Sequence, residues 1–157
     1  MTLTARHWMM LAAAGSLALM LGALAFQHIG GMAPCKLCLW QRWPHAAAIG
    51  IGGLAALALV PAVLLAGMGF LAALATSGIG AYHTGVERGW WEGPASCSGG
   101  GVASQSAQDL FAQIMAAPLI RCDEVPWEMF GLSMASWNAL VSLGLAGLWL
   151  MALRVAR

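Results

Sequence analysis

The residues best suited to chemistry stand in one short run, Pro34-Cys35-Lys36-Leu37-Cys38-Leu39-Trp40-Gln41-Arg42-Trp43-Pro44-His45. Its C-x-x-C pair is the only one in the chain and lies between two long apolar runs. That spacing brings two sulfurs close enough to cycle between dithiol and disulfide, or to share a metal ion. If the chain turns helical after Pro34, Cys38 and Arg42 fall one helical turn apart on one face. A thiolate at Cys38 then has a helix N-terminus and a fixed cation beside it, and both lower a thiol pKa. Two more cysteines follow downstream. Cys97 lies in a Ser/Gly setting (Ser96-Cys97-Ser98-Gly99-Gly100-Gly101) from which a sulfur can reach an outside protein. Cys122 stands between Arg121 and Asp123-Glu124, mixed charges that give its thiolate no clear bias.

Two cysteine pairs on one membrane face make a relay, because a thiolate attacks a disulfide through a mixed intermediate and so passes electrons onward. Such a relay needs an electron sink. No haem, flavin or iron–sulfur motif is present, and Leu39 rather than His follows Cys38, which rules out c-type haem attachment. A lipid-soluble quinone reaching Cys38 between helix ends supplies the sink without any further motif.

The elements that must position these residues belong in lipid. Hydrophobic residues make up 61% of the 157-residue chain and charged residues 8%, against about 25% charged in a soluble domain. There is room for about four spans of ~20 residues and one sizeable loop. A net charge of +1 leaves no electrostatic footprint for nucleic acid. Cysteines at 35, 38, 97 and 122 do not resemble a small secreted scaffold, and working disulfides place them in an oxidising compartment, the periplasm of a bacterium.

Spans are expected at about 8–28, 44–59, 62–82 and 133–153, with redox loops at 29–43 and 83–132. The fold class is therefore an all-α membrane protein, a four-transmembrane-helix bundle with a long extracytoplasmic loop between helices 3 and 4. Cleavage after Ala23-Leu24-Ala25 is the rival reading of the first run, which is longer than an ordinary signal core. All six acidic residues lie between His83 and Gly131, where Ser104–Ala117 can form a short helix ended by Pro118. Four spans put both termini on one side. Lys and Arg counts do not choose the side, so the cysteine chemistry does: cysteine loops periplasmic, termini cytoplasmic. Trp40, Trp43, Trp90, Trp91, Trp127 and Trp137 then gather at the outer surface, as interfacial aromatics do.

Over nearly its full length the chain resembles the bacterial disulfide-bond formation protein B (DsbB) family. The resemblance is carried by Phe26-Gln27-His28, by Pro34-Cys35-Lys36-Leu37-Cys38-Leu39-Trp40-Gln41-Arg42 and by Tyr82-His83-Thr84. Cys97, Cys122-Asp123-Glu124 and Phe130-Gly131-Leu132-Ser133-Met134 complete it. It implies an inner-membrane enzyme that reoxidises a periplasmic DsbA-like thioredoxin-fold protein and passes the electrons to ubiquinone or menaquinone, not covalently bound. By the same resemblance Cys97 forms the mixed disulfide with the partner, and Cys122 pairs with Cys97 at rest and links transiently to Cys35. Cys38 contacts the quinone, Arg42 holds the charge there, and His83 helps bind the ring. A DsbA-like partner is a strong oxidant at about −120 mV, and ~30 mV is worth ~1.4 kcal/mol here, so a quinone must supply the drive.

Other readings stand beside this one. Four cysteines can hold zinc, although 97 and 122 are far apart for such a site. His28, His45 and His83 at one membrane face can ligate a haem, which makes a four-helix electron-transfer haem protein the alternative enzyme. A non-catalytic membrane scaffold with structural disulfides is the alternative outside catalysis. The vitamin K epoxide reductase type is disfavoured, because its C-x-x-C belongs in the last helix. Glu87 is a candidate proton donor to a reduced quinone, or else a solvated loop charge.

Overall fold

The computed structural model describes residues 4–94 and 120–157, and between them Cys97, Ser106, Gln108, Phe111 and Met115. Helix α1, Ala5–His28, is an uncharged Leu/Ala/Met run after Arg6, and these residues are strong helix formers. It ends at Gly30-Gly31, where Gly31 has φ +67°, a left-handed conformation glycine adopts without strain. Helix α2, Lys36–Leu57, starts with Cys35 as its N-cap, the Cys35 sulfur accepting from the Cys38 backbone N–H. Helix α3, Ala62–Glu87, follows Pro61, a residue tolerated at helix starts because its missing N–H would be unpaired there. A short hairpin, β1 (Glu128–Met129) with β2 (Leu132–Ser133), leads into helix α4, Met134–Ala156. Its turn residues Phe130 and Gly131 both have positive φ, as the tight hairpin turn requires.

All four helices run past an expected limit, α1 and α4 by three residues and α2 and α3 by more. Helix α2 begins at Lys36 rather than near Pro44, so Cys38 and Arg42 are helical and Pro44 sits inside. Proline cannot donate to the carbonyl one turn back, but Thr76 Oγ1 donates to the neighbouring Gln41 carbonyl at 3.1 Å and supports this stretch from α3. Helix α3 continues past Tyr82 to Glu87 because no breaker intervenes before Gly89, whose φ is +67°. His83 to Glu87 are therefore helical and not part of a loop. The expected short helix at Ser104–Ala117 lies, apart from single residues, outside the described residues.

Among the described residues three helices, α1, α3 and α4, are long and apolar enough to cross a membrane. Helix α2 packs with them as a fourth helix, and its first half is more polar, with Lys36, Gln41, Arg42 and His45. In the bundle α1 packs on α2 and α4, and α3 packs on the same two. Small residues set the spacing, as they do where lipid removes the hydrophobic drive between helices. Gly52 of α2 meets Ala13 of α1, and Gly69 of α3 lies under the fully buried Trp149 of α4. Arg6 donates to the Ala56 carbonyl at 2.6 Å, placing a cation at the α2 C-terminus. Leu11, Leu21, Leu64, Leu71 and Leu143 point outward.

Candidate active site

All four sulfurs meet at the end of the bundle where α2 begins and α3 ends. Cys97 and Cys122 are joined by a disulfide, and both are fully buried. The Cys122 N–H donates to the Cys97 carbonyl at 3.2 Å, and the Cys97 N–H to the Pro94 carbonyl at 2.7 Å. The Ser/Gly surroundings of Cys97 pointed to an accessible sulfur, but in the joined state it is covered. Its cluster includes Cys35, Leu37, Val86 and Cys122, with Cys38 packed against it. Cys35 Sγ stands 2.6 Å from Cys38 Sγ and accepts from the Cys38 N–H at 3.2 Å. The helix N-terminus therefore serves Cys35 directly, where the spacing argument had assigned it to Cys38. The hydrogen bond to Cys38, followed by burial, pushes the Cys35 thiol well above the ordinary range, so in the dithiol the proton stays on Cys35.

Cys38 lines a cavity of about 490 Å³ to which all four helices contribute, within the usual range for small-molecule sites. Ala23 and Phe26 line it on one side, and Cys38, Arg42, His83 and Glu87 line it on another. The hydrogen-bond partners of Arg42 lie on α1 rather than at Cys38. Nη1 donates to Gln27 Oε1 at 2.7 Å and Nη2 to the Ala23 carbonyl at 3.5 Å. Arg42 Nε is buried with no hydrogen-bond partner among the described residues.

Of the polar residues behind the sulfurs, Asn138 was not foreseen, and Gln41 entered only as part of the C-x-x-C run. His83 Nε2 lies 3.5 Å from Cys35 Sγ, and His83 Nδ1 lies 2.9 Å from Gln41 Nε2. Gln41 Oε1 accepts from Asn138 Nδ2 at 2.6 Å, and Asn138 Oδ1 faces His45 Nε2 at 2.8 Å. His45 and His83 are thus committed to this chain and His28 is exposed, so the three histidines do not converge as haem ligation would need. Glu87 is not a solvated loop charge. Its side chain is 3% exposed, 3.8 Å from His83 Nε2, and accepts a short hydrogen bond from Ser133. The available signal was each polar residue's isolation in an apolar helix, which marks intramembrane function.

A family profile described as "Disulfide bond formation protein DsbB" matches residues 5–152. The chain belongs to the DsbB family. Among proteins named "Disulfide bond formation protein B", that of Polaromonas sp. (strain JS666 / ATCC BAA-500) is 30% identical, with 97% of this chain and 93% of the relative aligned. The one from Polaromonas naphthalenivorans (strain CJ2) is 31% identical over the same shares. That of Verminephrobacter eiseniae (strain EF01-2) is 31% identical, covering 96% and 86%. No solved structure matches the chain. DsbB membership makes this a multi-pass membrane protein of disulfide-bond formation.

In this DsbB chain, Cys35 Sγ, Cys38 Sγ and His83 Nε2 lie within 4.8 Å of one another, a donor set of soft-metal type. Two thiolates around a tetrahedral zinc stand ~3.7 Å apart, given bonds of about 2.3 Å. The two free cysteines stand 2.6 Å apart here, closer than two ligands of one zinc ion.

Proposed function

We propose that the protein is a quinone-dependent thiol oxidase of the bacterial inner membrane, crossing it four times with both termini cytoplasmic and the cysteines periplasmic. Its substrate is the dithiol form of a periplasmic DsbA-like thioredoxin-fold protein, and its electron acceptor is the membrane quinone pool. One observation carries the reading: a closed disulfide and a second cysteine pair share one buried cluster, and the second pair lines a cavity together with a half-buried arginine.

A partner thiolate attacks Cys97, forms a mixed disulfide and expels Cys122 as thiolate. The second partner thiol then releases Cys97. Because Cys97 and Cys122 are fully buried, their disulfide must be uncovered for the partner to reach it. The Cys122 thiolate attacks Cys35, forming that bond and sending the electron pair of the Cys35–Cys38 bond to Cys38. A Cys97 thiolate then attacks Cys122, restores the Cys97–Cys122 disulfide and leaves Cys35 as thiolate.

Whether a quinone suits the cavity is tested by the residues present. The α1 wall is apolar, the volume is sufficient, and the unpaired Arg42 Nε is a buried donor awaiting an acceptor such as a ring carbonyl. These features fit. A bound ubiquinone or menaquinone supplies the two-electron acceptor that returns the Cys35–Cys38 dithiol to disulfide. Arg42, on α2 and tied to α1 through Gln27, would orient the ring, His83 would hold the Cys35 side, and Glu87 would deliver a proton within the cavity. Stopped-flow absorbance of the purified protein with quinone and a reduced thioredoxin-fold donor tests the reading. The expected result is one quinone reduced per donor disulfide formed; donor oxidation without quinone reduction would sink it.

A further inference from the structure

The contacts behind Cys35 have a direction. Gln41 Nε2 also approaches the Leu37 carbonyl at 3.3 Å, which only an N–H can satisfy. Asn138 Nδ2 approaches Thr76 Oγ1 at 3.2 Å, and that hydroxyl already spends its proton on the Gln41 carbonyl. Ser142 Oγ donates to Asn138 Oδ1 at 3.4 Å. Both amides are therefore oriented by contacts outside the chain that links the histidines, which is how amide orientation is assigned. His45 Nε2–H donates to Asn138, Asn138 to Gln41, and Gln41 to His83 Nδ1. An imidazole that accepts at Nδ1 carries its proton on Nε2 when neutral, and His83 Nε2 faces Cys35 Sγ. The reverse arrangement puts a proton on His45 Nδ1, which is buried with no partner among the described residues, and an orphaned buried donor costs about 1–3 kcal/mol.

We propose that His45, Asn138 and Gln41 form a one-way hydrogen-bond chain that fixes His83 as the Nε2–H tautomer, its proton directed at Cys35 Sγ. This deepens the thiol-oxidase reading and rests on it for the step served. When Cys97 attacks Cys122, the Cys35–Cys122 bond breaks and its electron pair goes to Cys35, where the imidazole N–H receives the new thiolate. His83 touches the reacting sulfur, whereas Gln41 and Asn138 are positioning residues. Two other groups face the same ring, Glu87 Oε1 at 3.8 Å from Nε2 and the Cys122 backbone. The carboxylate is beyond hydrogen-bond distance, and its other oxygen is taken by Ser133.

The test needs neither quinone nor partner, so it fails separately from the oxidase reading. In the full chain in lipid with ¹⁵N-labelled histidine, His83 is assigned by comparison with His83→Phe. The expected spectrum has a protonated Nε2 and a bare Nδ1 at neutral pH; a protonated Nδ1 overturns the proposal. Asn138→Leu removes one of the two anchors of the Gln41 amide and should add an Nδ1–H signal, whereas an unchanged spectrum counts against the chain. In a variant with Cys35 as sole cysteine and Ala at 38, His83→Phe should raise the Cys35 pKa by about one unit. Alkylation near neutral pH then slows about tenfold, as expected for loss of a hydrogen bond to a charged group. Asn138→Leu should give a smaller rise that disappears in the His83→Phe background. A rise that persists there reflects packing and overturns the positioning role. Should Asn138→Leu not fold, Gln41→Leu serves in the same cycle with the same outcomes.

Discussion

Arg42→Lys is the perturbation that most sharply separates a quinone-holding guanidinium from a membrane anchor. Two arms of the guanidinium are tied to α1, at Gln27 Oε1 (2.7 Å) and the Ala23 carbonyl (3.5 Å), leaving Nε buried with no partner among the described residues, on a side chain that lines the cavity. Planarity fixes where that third donor points. Lysine keeps the charge but has one ammonium on a flexible stem, so it can hold Gln27 or reach the cavity, not both in one geometry. The loss is one charge-assisted hydrogen bond, about 1.5–3 kcal/mol, or about ten- to a hundredfold in affinity. The assay is steady-state quinone reduction in lipid with saturating reduced partner, resolving KM from kcat. KM for quinone should rise by that factor, with exchange between partner and Cys97–Cys122 unaffected. Gln27→Leu should raise KM by less, and add nothing once Arg42 is Lys. A quinone KM within about twofold of the parent in Arg42→Lys would refute the reasoning, since a snorkelling anchor tolerates lysine equally well.

Cys38→Ser should abolish quinone reduction, while Cys97→Ser should abolish partner oxidation and spare quinone binding; full activity in both would remove the relay. The dithiol protein should lose stability as pH rises above the ordinary thiol pKa of about 8.5. Folded Cys35 keeps a proton that the unfolded chain releases there, so its stabilisation is complete below that pH and declines above it. Denaturation of oxidised and reduced protein across pH checks this, and a parallel decline in the oxidised form would contradict it. At Gly52 an added Cβ would overlap Ala13 Cβ, with no rotatable side chain to yield. Gly52→Ala should therefore destabilise by about 1–3 kcal/mol in graded detergent unfolding. Gly53→Ala, whose Cβ meets nothing within 4 Å, should be neutral or better.

The long uncharged runs and the break at Pro61 made helices and membrane legible from the chain alone, because burial in lipid demands continuous apolar helix. The C-x-x-C spacing likewise made redox chemistry legible, since it depends only on local geometry. Helix ends were read less well. Pro44 looked like a start and Tyr82 like a stop, but the Cys35 sulfur caps α2 earlier and nothing breaks α3 before Gly89. What only the tertiary structure decided is lateral. Arg42 turns to Gln27 on α1, Cys97 is covered, Glu87 is buried against Ser133, and Gln41 and Asn138 join two histidines across three helices. Those meetings depend on how far each helix is rotated about its axis. That rotation is set by packing of small residues such as Gly52 on Ala13 and Gly69 under Trp149, contacts between positions distant in the chain that no local pattern encodes.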